Sequence, residues 1–150
     1  MSTFVLLTAL ALSACGDDEP DGPTVAEAER ALRSQVDAAL DGASPRGHKV
    51  TDAGGKDVPC GERRARRAYA VSAQTGTSPA LTPVEIKNGM VGALPGFDAF
   101  DIVEDNRATH AGEPSRIKLE NKASRTSLVI SVPTKRQVTV SGTTDCLRTG

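Results

Sequence analysis

The chain predicts an α+β fold, with an antiparallel sheet of about five to six strands covered on one face by two helices, a two-layer sandwich. Three observations point there. Thr24-Val25-Ala26-Glu27 has the spacing of a helix capping box, and Thr82-Pro83-Val84-Glu85 repeats it with proline at the first helical position. The last third of the chain alternates apolar and polar residues with period two, as half-buried strands do. Helices and strands are segregated along the chain, which suits helices layered on an antiparallel sheet better than a parallel βαβ arrangement.

The first helix is placed at 25–41. Its apolar positions Val25, Ala28, Leu32, Val36, Ala39 and Leu40 recur at steps of three and four, Glu29 and Arg33 are spaced for an i,i+4 pair, and Gly42 stands where a C-terminal cap belongs. Residues 43–61 are rich in Gly, Pro and charge, so they read as a long loop with at most a short strand near 48–52. A strand follows at 63–73, with Tyr69 and Val71 on one parity and a basic start. The second helix, about 83–93, carries a stripe of Ile86, Met90, Val91 and Leu94, and its Gly89 and Gly92 hint at close packing against a neighbour. Pro95-Gly96 ends it.

A strand at 97–104 places Phe100 and Ile102 on one parity. Three alternating runs come next: Ile117 and Leu119; Leu128, Ile130 and Val132; Val138 and Val140, with short turns at 121–126 and 133–136. The expected layout is α-β-β-α-β-β-β-β.

Before the domain lies an apolar run, 4–12, that ends in Leu12-Ser13-Ala14-Cys15 and opens onto Gly16-Asp17-Asp18-Glu19. Nine apolar residues are too few to cross a bilayer of roughly 30 Å as a helix, but they suit the apolar region of a secretory signal. An aliphatic residue, two small ones and a cysteine resemble a bacterial lipobox. That resemblance implies cleavage after residue 14, lipidation of the Cys15 thiol by a diacylglycerol, and a palmitate-type anchor in the membrane. Met1-Ser2-Thr3 departs from the pattern, because it lacks the positive charge of an ordinary signal start.

Residues 15–23 then read as an acidic tether, since four carboxylates and two prolines in 16–23 cannot bury apolar surface. Extended at about 3.1 Å per residue, that tether reaches roughly 25 Å. Residues 24–150 are left as a single extracytoplasmic domain. Removing residues 1–14 from 150 leaves 136, which suits one domain with a modest core.

Composition narrows the function classes. The formal net charge is −1, without the basic bias of a general nucleic-acid binder, and aromatics are 3% with no Trp, which leaves little from which to build stacking platforms. Cysteine usage agrees with export. With Cys15 taken by lipid, Cys60 and Cys146 form an even pair outside the cytoplasm and are expected to bridge.

Catalytic and metal-binding patterns are sparse. The chain has no Gly-x-Ser-x-Gly and no His-Glu-x-x-His, and Gly54-Gly55-Lys56-Asp57 lacks the remaining residues of a phosphate loop. His48 and His110 fall in expected loops, where a lone imidazole is solvated more often than catalytic. A zinc site from His48, Cys60, His110 and Cys146 has no pre-assembling CxxC or HxxxH element. Asp98, Asp101, Glu104, Asp105 and Asn106 offer oxygen ligands without the glycine-centred loop of a calcium hand. Arg63, Arg64, Arg66 and Arg67 are the oddest local feature, because four guanidiniums in five residues repel one another unless water, carboxylates or an anionic partner surround them. They read either as a charged edge strand that blocks aggregation or as an anion-contacting patch.

The acidic tether, capped helix, mid-chain cysteine and final Thr144-Asp145-Cys146 turn resemble the layout of small uncharacterised actinobacterial lipoproteins. The resemblance implies an envelope location and no particular chemistry. The expected role is a membrane-anchored envelope lipoprotein acting as a non-enzymatic binding or structural module, without a cofactor. Its expected partners are the membrane and an envelope protein or anionic polymer, and not nucleic acid. A small extracytoplasmic enzyme or a ligand-binding accessory subunit is the alternative.

Overall fold

Both capping boxes form. A computed structural model describes residues 22–106, 108 and 110–150; the lipobox, the signal segment and the tether as far as residue 21 lie outside them. The Thr24 hydroxyl accepts the Glu27 amide at 3.3 Å while Glu27 Oε2 accepts the Thr24 amide at 2.8 Å, which starts α1 at Val25–Asp41. Thr82 and Glu85 make the same reciprocal bonds at the head of α2, Pro83–Gly92.

Among the described residues nine strands lie in two antiparallel sheets. The larger contains β1 (Pro45–Asp52), β4 (Ala68–Thr75), β5 (Phe100–Asn106), β6 (Ser115–Asn121), β7 (Thr126–Thr134) and β8 (Gln137–Thr144), in the order β1-β4-β8-β7-β6-β5. The smaller contains β2 (Val58–Gly61), β3 (Arg64–Arg66) and β9 (Leu147–Arg148), in the order β2-β3-β9. Helix α1 lies over β4, β8 and β7, and α2 over β7 and β6. Two helices on one face of an antiparallel sheet are the expected α+β layers.

Their interface is one apolar cluster. Leu32, Val36 and Leu40 of α1, with Ile86 and Met90 of α2, close over Val71, Leu119, Leu128, Ile130, Val138 and Val140. The alternating runs at β6–β8 supply that face because period two puts every second side chain beneath the helices. The opposite face carries short hydroxyl side chains, among them Ser72, Ser127, Ser131 and Thr139, which tolerate water where a third layer is missing. Two polar side chains also lock the layers. Gln35 of α1 accepts from Thr126 at 2.8 Å and donates to Ser124 at 3.0 Å, and Lys87 of α2, 2% exposed, pairs with Asp105 of β5.

Several expectations need correction. Residues 43–61 are not a long loop, because 45–52 and 58–61 are strands. The strand expected at 63–73 is two strands in two sheets, with Arg67 at the break. Ile102 is 56% exposed although Phe100, on the same parity, is buried. Beyond β6 the helices no longer cover the sheet, and a register shift between Ile102 and Glu104 disturbs the alternation. Gly42 does cap the C-terminus of α1, with right-handed backbone, φ −63°. Its missing side chain serves packing, since a Cβ there would sit 2.6 Å from the Gly89 carbonyl oxygen and 2.7 Å from Met90 Cα. Of the two α2 glycines, Gly89 meets this neighbour and Gly92 meets none within 4 Å.

Candidate functional site

Four segments that carry no shared motif come together at one end of the large sheet. The first turn of β1, the end of β4, the following loop and the β7–β8 turn enclose a groove of about 1100 Å³ lined by fourteen residues. Five of these are basic in type: Arg46, His48 and Lys49 from β1, with Lys135 and Arg136 from the turn; none is Asp or Glu. None of the five makes an ion pair among the described residues.

Local backbone chemistry sets this geometry. Between Pro45 and His48 the register slips against Thr75 and Ala73, so three steps on β1 oppose two on β4, and Gly47 takes φ +84°. Such a bulge needs an extra residue in an unusual conformation and re-aims the side chains beside it. The Arg46 stem lies along Gly76, whose amide donates to the Ser44 carbonyl at 2.7 Å. The Thr75 hydroxyl and amide donate to the Lys135 and Arg136 carbonyls at 2.7 and 3.1 Å, which fixes the turn against β4. Lys135 Nζ reaches the Pro79 carbonyl at 3.3 Å.

The groove is remote from the expected arginine patch. Strand β3 is the central strand of the small sheet, paired with β2 and β9, so the edge-strand reading of its arginines is wrong. Arg67 does not belong to a ligand-facing patch: its Nε donates to Asp57 at 2.6 Å and its Nη1 to Glu29 at 2.8 Å. Arg63 occupies a left-handed turn, φ 53°, with its carbonyl accepting the Thr149 amide at 2.9 Å. Arg63, Arg64 and Arg66 remain exposed. Beside Arg66 is a hollow of about 400 Å³ that already contains Asp145, which pairs with Arg125 at 2.7 Å.

Arg67 belongs to a knot around Glu29, which is 5% exposed. Glu29 accepts from Arg33 at 2.7 and 3.1 Å, from the Gly55 amide at 2.7 Å and from Arg67. Arg33 also stacks 4.5 Å from the Tyr69 ring centroid. Gly54-Gly55 is therefore the lid of this carboxylate. Burial acts to raise the Glu29 carboxyl, but its bonds to Arg33, Arg67 and the Gly55 amide outweigh that and hold it below the ordinary carboxylate range. A depressed value means stability that is full above roughly pH 4 and fades as pH falls through the lowered folded value. Glu29→Gln should lower stability at pH 7 by about 2 kcal/mol, a figure kept modest because Arg33 and Arg67 both reach water. Chemical denaturation between pH 7 and pH 3 checks this. The variant should lose less stability on acidification than the parent, and parallel pH profiles would refute the assignment.

The remaining candidates are dispersed. His48 stands on β1 and not in a loop, with its ring exposed. His110, in a turn, has Nδ1 3.0 Å from Glu113. Cys60 and Cys146 are bonded to each other, Cα atoms 5.9 Å apart, so neither offers a thiolate to zinc. Asp101 pairs with Lys122 at 2.6 Å, Glu104 with Arg116 at 3.1 Å and Asp105 with Lys87, and these carboxylates do not converge. Among the described residues no group of three His, Cys, Asp or Glu is placed to hold a metal ion, and no helix is long and apolar enough to cross a membrane. No protein-family model, curated protein or solved structure compared with the chain matches it.

Proposed function

We propose that this chain is a lipid-anchored protein of the cell envelope whose domain is a non-enzymatic binding or structural module on the extracytoplasmic face. The observation that carries this reading is the division of the three cysteines. Two are joined across 86 positions of the folded domain, a bond that persists in oxidising compartments, and the third ends the lipobox-like run at Cys15. The chemistry of the groove favours binding over turnover. It presents cations and no carboxylate, while the buried Glu29 and the half-buried Asp105 are engaged by Arg33, Arg67 and Lys87 elsewhere.

Cys15→Ala tests the anchor. Wild-type protein should partition into detergent and co-sediment with membranes, because diacylglycerol supplies the affinity that the polypeptide lacks. The variant should move to the soluble fraction. Equal membrane recovery of the two would end the lipoprotein reading.

A further inference from the structure

We propose that the groove formed by Arg46, His48, Lys49, Lys135 and Arg136 holds a linear envelope polymer carrying phosphate on its repeats. Charge is the first argument. The acidic residues of the tether hide a basic domain: 18 Lys and Arg are all C-terminal to residue 23, against 15 of the 19 Asp and Glu, a formal +3 where the whole chain is −1. The groove gathers two Arg and two Lys without an acidic residue, whereas the carboxylates of β5 pair with Lys87, Arg116 and Lys122 at the other side of the sheet.

Shape selects a polymer over a small anion. The groove is open and its cations come from both rims, so one phosphate would stay largely hydrated and meet only part of the set. A chain with repeating charge can engage several cations at once, with each contact raising the effective concentration of the next. The guanidinium forks of Arg46 and Arg136 match the several oxygens of a phosphate.

Placement selects the wall side over the lipid surface. The tether joins α1 at its first residue, while the groove begins at Arg46, five positions past its last. Seventeen residues at 1.5 Å each put about 25 Å of helix between them. This orientation rests on the lipid-anchored reading; the binding chemistry does not.

The test uses the full, oxidised chain with Cys15→Ser, so that no lipid contributes, and fluorescent poly(glycerol phosphate) as probe. Binding should weaken steeply as salt rises, since exposed charges are screened beyond about 8 Å at physiological ionic strength. Arg46→Gln with Arg136→Gln should reduce affinity about tenfold or more, and Arg63→Gln with Arg66→Gln should leave it nearly unchanged. If the first pair lowers the melting temperature, Lys49→Gln with Lys135→Gln repeats the test. Unchanged affinity in a folded groove variant overturns the proposal, as does equal loss at Arg63 and Arg66. Phosphatidylglycerol vesicles bound as tightly as the polymer, through the same residues, would also overturn it, in favour of headgroup binding. Failure of any arm leaves the Cys15 fractionation result standing, and the reverse holds.

Discussion

Reducing the Cys60–Cys146 bridge is expected to lower stability by about 4–5 kcal/mol, the upper range of the chain-entropy argument for a closed loop of this length. A small domain has only 5–15 kcal/mol in all, so the loss is a large share of it. The melting temperature should fall by roughly 10–20 °C. The three-stranded sheet should fail first. Cys60 lies in β2 and Cys146 immediately precedes β9, whose Leu147 packs with Val25 and Ala28 in a small cluster apart from the main core. Comparing melts of oxidised, reduced and Cys60→Ala/Cys146→Ala protein, with thiol labelling of the folded oxidised form, checks both points. Coincident melts, or two reactive thiols in the oxidised protein, would remove the bridge from the account.

Gly42→Ala should be the most damaging single methyl addition at the helix crossing, by about 1–3 kcal/mol. The atoms in its way are the Gly89 carbonyl oxygen and Met90 Cα, both backbone, so no side chain can rotate aside and α2 itself must move. Helix α2 is short, and it carries Ile86 and Met90 into the core and Lys87 to Asp105. Gly92→Ala is the internal control. A Cβ there meets nothing within 4 Å, and alanine should add up to about 1 kcal/mol through helix propensity. Urea denaturation of the two variants separates crowding from propensity. Equal shifts of the same sign would show that the crossing is not tight.

The legible parts of this fold are those written in neighbouring residues. Both Thr-x-x-Glu boxes locate their helices because the reciprocal bonds span only three positions. Strands β6, β7 and β8 announce themselves because helices cover one face along their length. Strand β1 is legible only as a short run near 48–52, for the opposite reason: an edge strand beyond the helices buries little, so Arg46, His48, Lys49 and Thr51 interleave with Gly47 and Val50 without a pattern, and Val50 remains 42% exposed. The break at Arg67 had no local signal, since the carboxylates that hold it are Glu29, 38 positions earlier, and Asp57, 10 positions earlier beyond β2 and β3. The groove is harder still. Its cations are unremarkable at 46–49 and 135–136, and only the β1–β4–β8 pairing brings them together. Arg63, Arg64, Arg66 and Arg67 crowd into five positions, yet nearness in sequence is a poor guide to a shared surface.

The covalent ring also divides the chain mechanically. A pull on the chain ends cannot draw out residues 60–146 while the bridge is intact, because their ends remain 5.9 Å apart at Cα. On the N-terminal side only residues 24–59 can lengthen, up to roughly 120 Å of extended chain. Those residues are α1, β1 and the start of β2. One rim of the groove, with Arg46, His48 and Lys49, therefore stands on yielding chain, while Lys135 and Arg136 stand on the locked ring. Tension borne at residue 24 would act on the first rim directly and could not draw out the chain that carries the second.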